Sequence, residues 1–273
     1  MAAAQHDSGS HRVAAAPRAE HGHAAKFEVR SLSCFYGDRQ VLDDVSLDLP
    51  ARCVTALVGP SGCGKSTFLR VLNRMHDALQ PLRVTGTVSL DGEDIHHPDV
   101  DLARLRRRVG MVFHRPRLFP RSVLDNVAYG LRVAGETDPT ALEDRVETAL
   151  RRADLWDELR DRLGAPALSL PEGTQQRLCV ARALAVGPEC LLLDDPTGSL
   201  DPAATARIEA LLSALRAQVT VVCVTHSLQQ AARVSQHLAY FDGGRLIEAG
   251  DTREVFTRPQ LQQTEDYLTG RFA

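Results

Sequence analysis

Two kinds of hydrophobic pattern divide the chain. Phe27–Cys34 and Val41–Leu49 alternate apolar with polar residues, and Val84–Leu90 continues the alternation into an Asp91-Gly92 turn. That period predicts antiparallel strands with one wet face. By contrast, Val54–Val58, Cys190–Asp194 and Val219–Thr225 are apolar almost throughout. Such runs predict central strands of a parallel sheet, covered on both faces. Helical periodicity fills the gaps. Ile208, Leu211, Leu212 and Leu215 follow Asp201-Pro202 at i, i+3, i+4 and i+7, so a helix opens at that proline. Gln175–Val186 predicts a second helix, closed by Gly187-Pro188. A third lies around Ser227–Val234, ahead of a hairpin through Asp242-Gly243-Gly244.

Residues 122–163 carry no strand pattern. Thr140-Ala141-Leu142-Glu143 has the form of a capping box, and Leu142, Val146, Ala149, Leu150 and Ala153 make an apolar stripe behind it. The expectation is a helical insertion, residues about 114–177, within one domain spanning 27–273. Residues 1–26 read as a disordered tail without the apolar segment of a secretory signal. His6, His11, His21 and His23 in it are potential metal ligands or simply solvated side chains. Order is expected to begin near Phe27.

The chemistry concentrates at the end of the first apolar run. Gly59-Pro60-Ser61-Gly62-Cys63-Gly64-Lys65-Ser66-Thr67 is a complete phosphate-binding loop between a predicted strand and a predicted helix. Its glycines let successive N–H groups curl around an anion, and the helix N-terminus adds partial positive charge. Lys65 would reach the β- and γ-phosphates, and Ser66 would hold Mg²⁺. Of 32 basic Lys and Arg residues only Lys26 and Lys65 are lysine. An arginine-using chain has thus kept a compact ammonium where a point charge is wanted. Asp194 and Asp195 end a second buried run; Asp194 would hold Mg²⁺, directly or through water, and Asp195 would orient an attacking water. His226 follows Thr225 at the same carboxyl edge of the sheet, where open α/β sheets gather ligand chemistry. Neutral or protonated, it would contact a γ-phosphate.

Composition narrows the partners. A net charge of −3 gives no general attraction to nucleic acid. No run of eighteen apolar residues exists, so a membrane role would come through a partner. Cys34, Cys53, Cys63, Cys179, Cys190 and Cys223 show no C-x-x-C spacing and read as reduced packing residues. Cys63 stands apart, because a loop position beside a helix N-terminus would favour an oxidisable thiolate.

Taken in order, Tyr36, the phosphate loop, the helical insertion, a helix opening before Gln175-Gln176-Arg177, Asp194-Asp195 and His226 resemble the nucleotide-binding subunit of an ABC transporter. Leu72-Asn73-Arg74-Met75, Asp125–Arg132, Gln229–Val234 and Thr264–Phe272 are similar to the phosphate-import branch, the PstB family. The resemblance implies an α/β P-loop NTPase (RecA-like) core with an antiparallel β subdomain and an inserted helical subdomain. It also implies ATP and Mg²⁺ as cofactors, with Tyr36 stacked on adenine. Two subunits, identical or related, would clasp head-to-tail with Asp201 at the seam. Phe113–Pro120 would face the membrane partner. The implied setting is the cytoplasmic face of the membrane, beneath two integral-membrane permease subunits served by a solute-binding protein.

Three positions depart from the family pattern. Leu170-Pro171-Glu172-Gly173-Thr174 stands where the family has Leu-Ser-Gly-Gly-Gln, the signature that closes on the partner's γ-phosphate. Pro171 has neither hydroxyl nor N–H. A Glu172 carboxylate about 5 Å from a phosphate would repel it by about 3 kcal/mol per charge at an effective dielectric near 20. Asp195 replaces the usual Glu and is one methylene shorter; His114 replaces the usual Gln. Two readings stay open on these residues: a transport ATPase, with full or weakened turnover, and a regulatory module that senses ATP without sustained hydrolysis. DNA-repair ATPases with a related head are disfavoured, since no long heptad repeat interrupts the chain.

Overall fold

Strand pairing brings three buried strand ends to one edge of the molecule. The computed structural model describes residues 24–79 and 82–271, so the histidines of the predicted tail lie outside the described residues. β1 (Ala25–Tyr36) and β2 (Arg39–Pro50) pair antiparallel from Ala25 opposite Pro50 to Tyr36 opposite Arg39. β3 (Val54–Val58) leads through the phosphate loop into α1 (Lys65–Val71) and the short α2 (His76–Leu79). β4 (Arg83–Leu90) and β5 (Glu93–Asp94) complete a four-stranded sheet in the order β2-β1-β4-β5. Alternation is met there: Phe27, Val29, Leu47, Leu49, Val88 and Leu90 are all buried, as a half-wet sheet requires.

α3 (Leu102–Arg108), capped by Asp101, runs directly into β6 (Val109–Val112). The insertion that follows contains α4 (Val123–Val133), α5 (Pro139–Arg152), α6 (Trp156–Leu159) and α7 (Glu172–Ala185). Then come β7 (Cys190–Asp194), α8 (Pro202–Leu215), β8 (Thr220–Val224), α9 (Leu228–Val234), β9 (His237–Asp242), β10 (Arg245–Asp251), α10 (Thr252–Thr257) and α11 (Gln262–Thr269). The second sheet has the order β10-β9-β3-β8-β7-β6. All neighbours are parallel except the β9–β10 hairpin.

β3, β7 and β8 are buried at every position, as their unbroken apolar runs demand. In register, Leu57 of β3 lies beside Val224 of β8, and Val224 beside Asp194 of β7. The loop after β3, the two aspartates and His226 therefore leave the sheet at one edge. One apolar cluster joins the antiparallel sheet to α1 and the near face of the parallel sheet; a second packs α7 and α8 on the far face. The insertion has its own core around Val127, Leu131, Val146 and Leu150, shared with α7.

Two helix starts differ from expectation. Asp138, not Thr140, caps α5: its carboxylate accepts from the N–H groups of Thr140 and Ala141. Pro139 occupies the first helical turn, where no donor is wasted. α7 begins at Glu172, three residues early, with Pro171 at its N-cap. A proline costs nothing there because that end of a helix leaves its N–H groups unpaired anyway.

Candidate nucleotide-binding site

The phosphate loop is built on glycines that no other residue would replace. Gly59 has φ of 144°, and a Cβ there would sit 2.0 Å from the Phe241 carbonyl oxygen. Gly64, at φ of 101°, would push a Cβ to 2.6 Å from Leu42 and 2.8 Å from the Val41 carbonyl oxygen. Both angles lie in the region that side chains avoid. Lys65 is 4% exposed, and its Nζ donates to the carbonyls of Gly59 at 2.7 Å and Pro60 at 2.8 Å. The loop and Val41 enclose a cavity of about 180 Å³, with His226 on its wall. A larger cavity of about 450 Å³, lined by Arg104, Arg107, Arg108 and Arg145, opens near the amino end of β6. It is remote in sequence and topology from the loop amides and the paired aspartates, so the smaller cavity is the chemical candidate.

Asp194 meets the loop directly. Ser66 Oγ donates to its Oδ1 at 2.6 Å, and Arg70 donates to its Oδ2 at 3.0 Å. The side chain is 9% exposed. Asp195, half-buried beside it, takes a left-handed φ of 49° and donates its N–H to the Val224 carbonyl. Burial pushes the Asp195 carboxyl up from the ordinary range, while His226, His114 and Lys65 pull it back. The structure thus puts His226 and His114, both exposed, within electrostatic reach of Asp195. Tyr36 ends β1, half-buried, and does not line the loop cavity.

At the signature position Leu170 is buried and Thr174 Oγ1 donates to Glu158. Gly173 is packed so tightly on α8 that a Cβ would come 2.6 Å from that of Ala204. Glu172 accepts from Ser199 Oγ at 2.7 Å. Asp201 caps α8, accepting from the Ala204 N–H at 2.8 Å. Cys63 differs from expectation. It is 5% exposed with its sulfur 3.4 Å from Lys65 Nζ, so an oxidant has little access; the other five cysteines are buried too.

Three residues that brace this region lie outside the phosphate loop and the strand-end acids. Arg70 shares Asp194 with Ser66. Gln230, 1% exposed, binds Thr197 after Asp195 and Thr225 before His226, and so locks the two loops together. Tyr267 of α11 accepts the Gly59 N–H at 2.9 Å. Gln230 and Tyr267 fall in the stretches Gln229–Val234 and Thr264–Phe272 that resemble the phosphate-import branch, though without a role attached. Gln230 is also a polar residue on the inner face of a helix; nothing local marks Arg70.

A strand, a glycine nest and a helix, with the loop serine hydrogen-bonded to a strand-end aspartate, define a P-loop nucleotide-binding domain. Residues 42–198 match the ABC transporter family, and the chain belongs to it. It is 54% identical over 244 residues, 89% of this chain and 90% of the relative, to phosphate import ATP-binding protein PstB 1 of Vibrio parahaemolyticus serotype O3:K6. Among solved structures it is similar to cbiO1 from Clostridium perfringens, part of an ABC transporter complex, with a TM-score of 0.76 and 26% identity over 90% of this chain and 96% of that one. An ATP-bound bacterial Atm1-family ABC exporter gives a TM-score of 0.75 at 28% identity, covering 94% of this chain and 43% of the exporter. Among the described residues no helix is long and apolar enough to cross a membrane.

Proposed function

We propose that the protein is the ATP-hydrolysing subunit of an importer of inorganic phosphate. The observation that carries this reading is the convergence of Lys65, Ser66 and Asp194 at one sheet edge, on a chain 54% identical to a phosphate import ATP-binding protein. The loop amides and Lys65 receive the triphosphate of ATP. Ser66 and Asp194 present hard oxygen donors 2.6 Å apart, the donor set that suits Mg²⁺. An ion held by these two residues would offset negative charge on a bound triphosphate. Asp195 orients the water, and His226 and His114 flank it. Tyr36 stacks on the adenine. The segment Leu170–Thr174 closes on a second subunit's nucleotide across a seam that includes Asp201. Phe113–Pro120 meets the permease: Phe119 packs on the exposed ring of Tyr129, centroids 4.4 Å apart, and Arg182 covers its face. The complex comprises two permease subunits and a solute-binding protein, with this subunit on the cytoplasmic face of the membrane.

Calorimetry with Mg·ATP tests the site, and phosphate uptake by cells carrying the chain as their only such subunit tests the transport. Lys65→Ala should weaken Mg·ATP by about tenfold to a hundredfold, the worth of a charge-assisted hydrogen bond, and abolish uptake. Equal binding by Lys65→Ala and wild type would overturn the reading.

A further inference from the structure

The C-terminal helix reaches back to the first residue of the phosphate loop. Tyr267 Oη accepts the Gly59 N–H at 2.9 Å, in a buried contact spanning 208 residues. Its ring lies nearly flat on Tyr240, centroids 4.5 Å and planes 14° apart. The next residue, Phe241, supplies the carbonyl that bars any side chain at Gly59. On the other side of the same residue, the Gly59 carbonyl accepts from Lys65 Nζ at 2.7 Å. Both backbone polar groups of Gly59 are thus held by side chains, one from the helix after the loop and one from the far end of the chain.

The two holds are not equivalent. The Lys65 ammonium divides three donors among the Gly59 and Pro60 carbonyls and any arriving phosphate. Tyr267, by contrast, lies outside the loop cavity and holds the Gly59 N–H. Gly59 has φ of 144°, in a glycine-only region with no steric wall of its own to keep it there. We infer that Tyr267 is a positioning residue for the phosphate loop, and that α11 thereby sets the affinity of the loop for a triphosphate. The inference rests on the reading of the loop as the Mg·ATP site. It also gives a task to the C-terminal segment Thr264–Arg271. The helix has anchors besides the hydroxyl: Thr264 is fully buried, and Gln263 Nε2 donates to Asp242 at 2.7 Å. Removing one oxygen should leave α11 in place.

Tyr267→Phe keeps the ring stack and removes the hydroxyl that accepts the Gly59 N–H, together with that hydroxyl's own donor. In the full chain it should raise the Mg·ATP dissociation constant and KM together by about threefold to tenfold, the range for one neutral hydrogen bond. kcat should stay within about twofold, the melting temperature within about 3 °C, and Gly59 amide exchange should quicken at least about tenfold. Lys65→Ala, run in parallel, reports on the site itself. If that variant binds Mg·ATP like wild type, the nucleotide reading fails and the inference with it. If Lys65→Ala loses binding while Tyr267→Phe matches wild type in Kd, KM and Gly59 exchange, the inference alone is overturned. A fall in kcat and melting temperature at unchanged KM would assign Tyr267 a merely structural role and would also overturn it.

Discussion

The carboxylate of Glu172 accepts a hydrogen bond from the hydroxyl of Ser199, 2.7 Å away in the same chain. The acid that replaces a small residue in the signature is therefore turned along the start of its own helix, toward the loop that follows Asp195. There it also sits well in the field of α7, whose first turn favours negative charge. Phosphate repulsion of about 3 kcal/mol applies only to a Glu172 that points outward. Ser199→Ala should release it and raise the KM for ATP about threefold to tenfold, from loss of a charged hydrogen bond at the exposed, low end of its range. Adding Glu172→Gln should restore the KM. A double variant no better than Ser199→Ala would show that Ser199 does not restrain the charge.

Asp195 combines three features that pull against one another. It is a short carboxylate, it is half-buried, and it sits at a left-handed φ of 49° that Asp tolerates better than most side chains. Gly198 stands so near that a Cβ there would lie 2.4 Å from Asp195 Oδ2, so the carboxylate has no slack on that side. A methylene added by Asp195→Glu should carry the carboxylate closer to the water, since about 1 Å of misplacement costs about a hundredfold. Steady-state hydrolysis should then rise about tenfold or more, with a small loss of stability from the backbone angle. No increase would mean that the wild-type Asp already reaches the water. Burial raises the Asp195 carboxyl, so the acid limb of kcat should lie above the usual Asp range near 3.9. Asp195→Asn should remove that limb along with most of the turnover.

Local pattern carried the reading a long way. The unbroken apolar runs of β3, β7 and β8 mark strands buried on both faces, and the phosphate loop is one contiguous stretch. Asp194 and His226 were legible because each follows such a run, so topology alone delivers them to the loop. β6 was not legible: four residues behind Arg106–Arg108 are too few to show a period, and only pairing with β7 makes them a strand. The cap of α5 fell to Asp138 because Pro139 opens the helix a residue before Thr140, so Asp138 takes the amides of Thr140 and Ala141 and Thr140 lies inside the first turn. Gln230 and Tyr267 act across 33 and 208 residues, through contacts that exist only once the chain has folded.

His76 and His96 face each other beneath the loop helix, ring centroids 5.9 Å apart. Asp77 contacts His76 at 2.9 Å, while Arg74 and Arg106 add positive charge from the turn between α1 and α2 and from α3. Burial lowers both imidazoles below 6.5, and Arg74 lowers each further; Asp77 opposes this at both, and Asp94 at His96. A lowered folded value means that the unfolded chain takes protons first as pH falls. Stability should thus be full above about 6.5 and decline below it, down to the folded values. Urea midpoints at pH 7.5 and 5 should differ for wild type and differ less for His76→Gln with His96→Gln. An equal slope in both proteins would place the sensitivity elsewhere.

Lys26, the lysine outside the loop, gathers a second set of charges at the junction of the two sheets. It contacts Asp91 at 2.7 Å and Glu189 at 2.6 Å, and Arg108 reaches the same two carboxylates at 2.5 and 2.8 Å. The Arg108 hydrogen bond leads in holding Glu189 down to about 2; burial opposes it, and Lys26 adds to the lowering. Glu189 is 42% exposed, so water screens the pairing and each bond is worth about 1 kcal/mol or less. A lowered carboxylate stabilises fully above its unfolded value near 4.5 and loses that contribution as pH falls toward 2. Lys26→Met should therefore cost about 1 kcal/mol at pH 7, and that cost should shrink steadily between pH 4.5 and 2. Glu189→Gln in the Lys26→Met background should add less than it does alone, because both carboxamide and lysine changes remove the same bond. Strictly additive losses would show that the four groups do not act together.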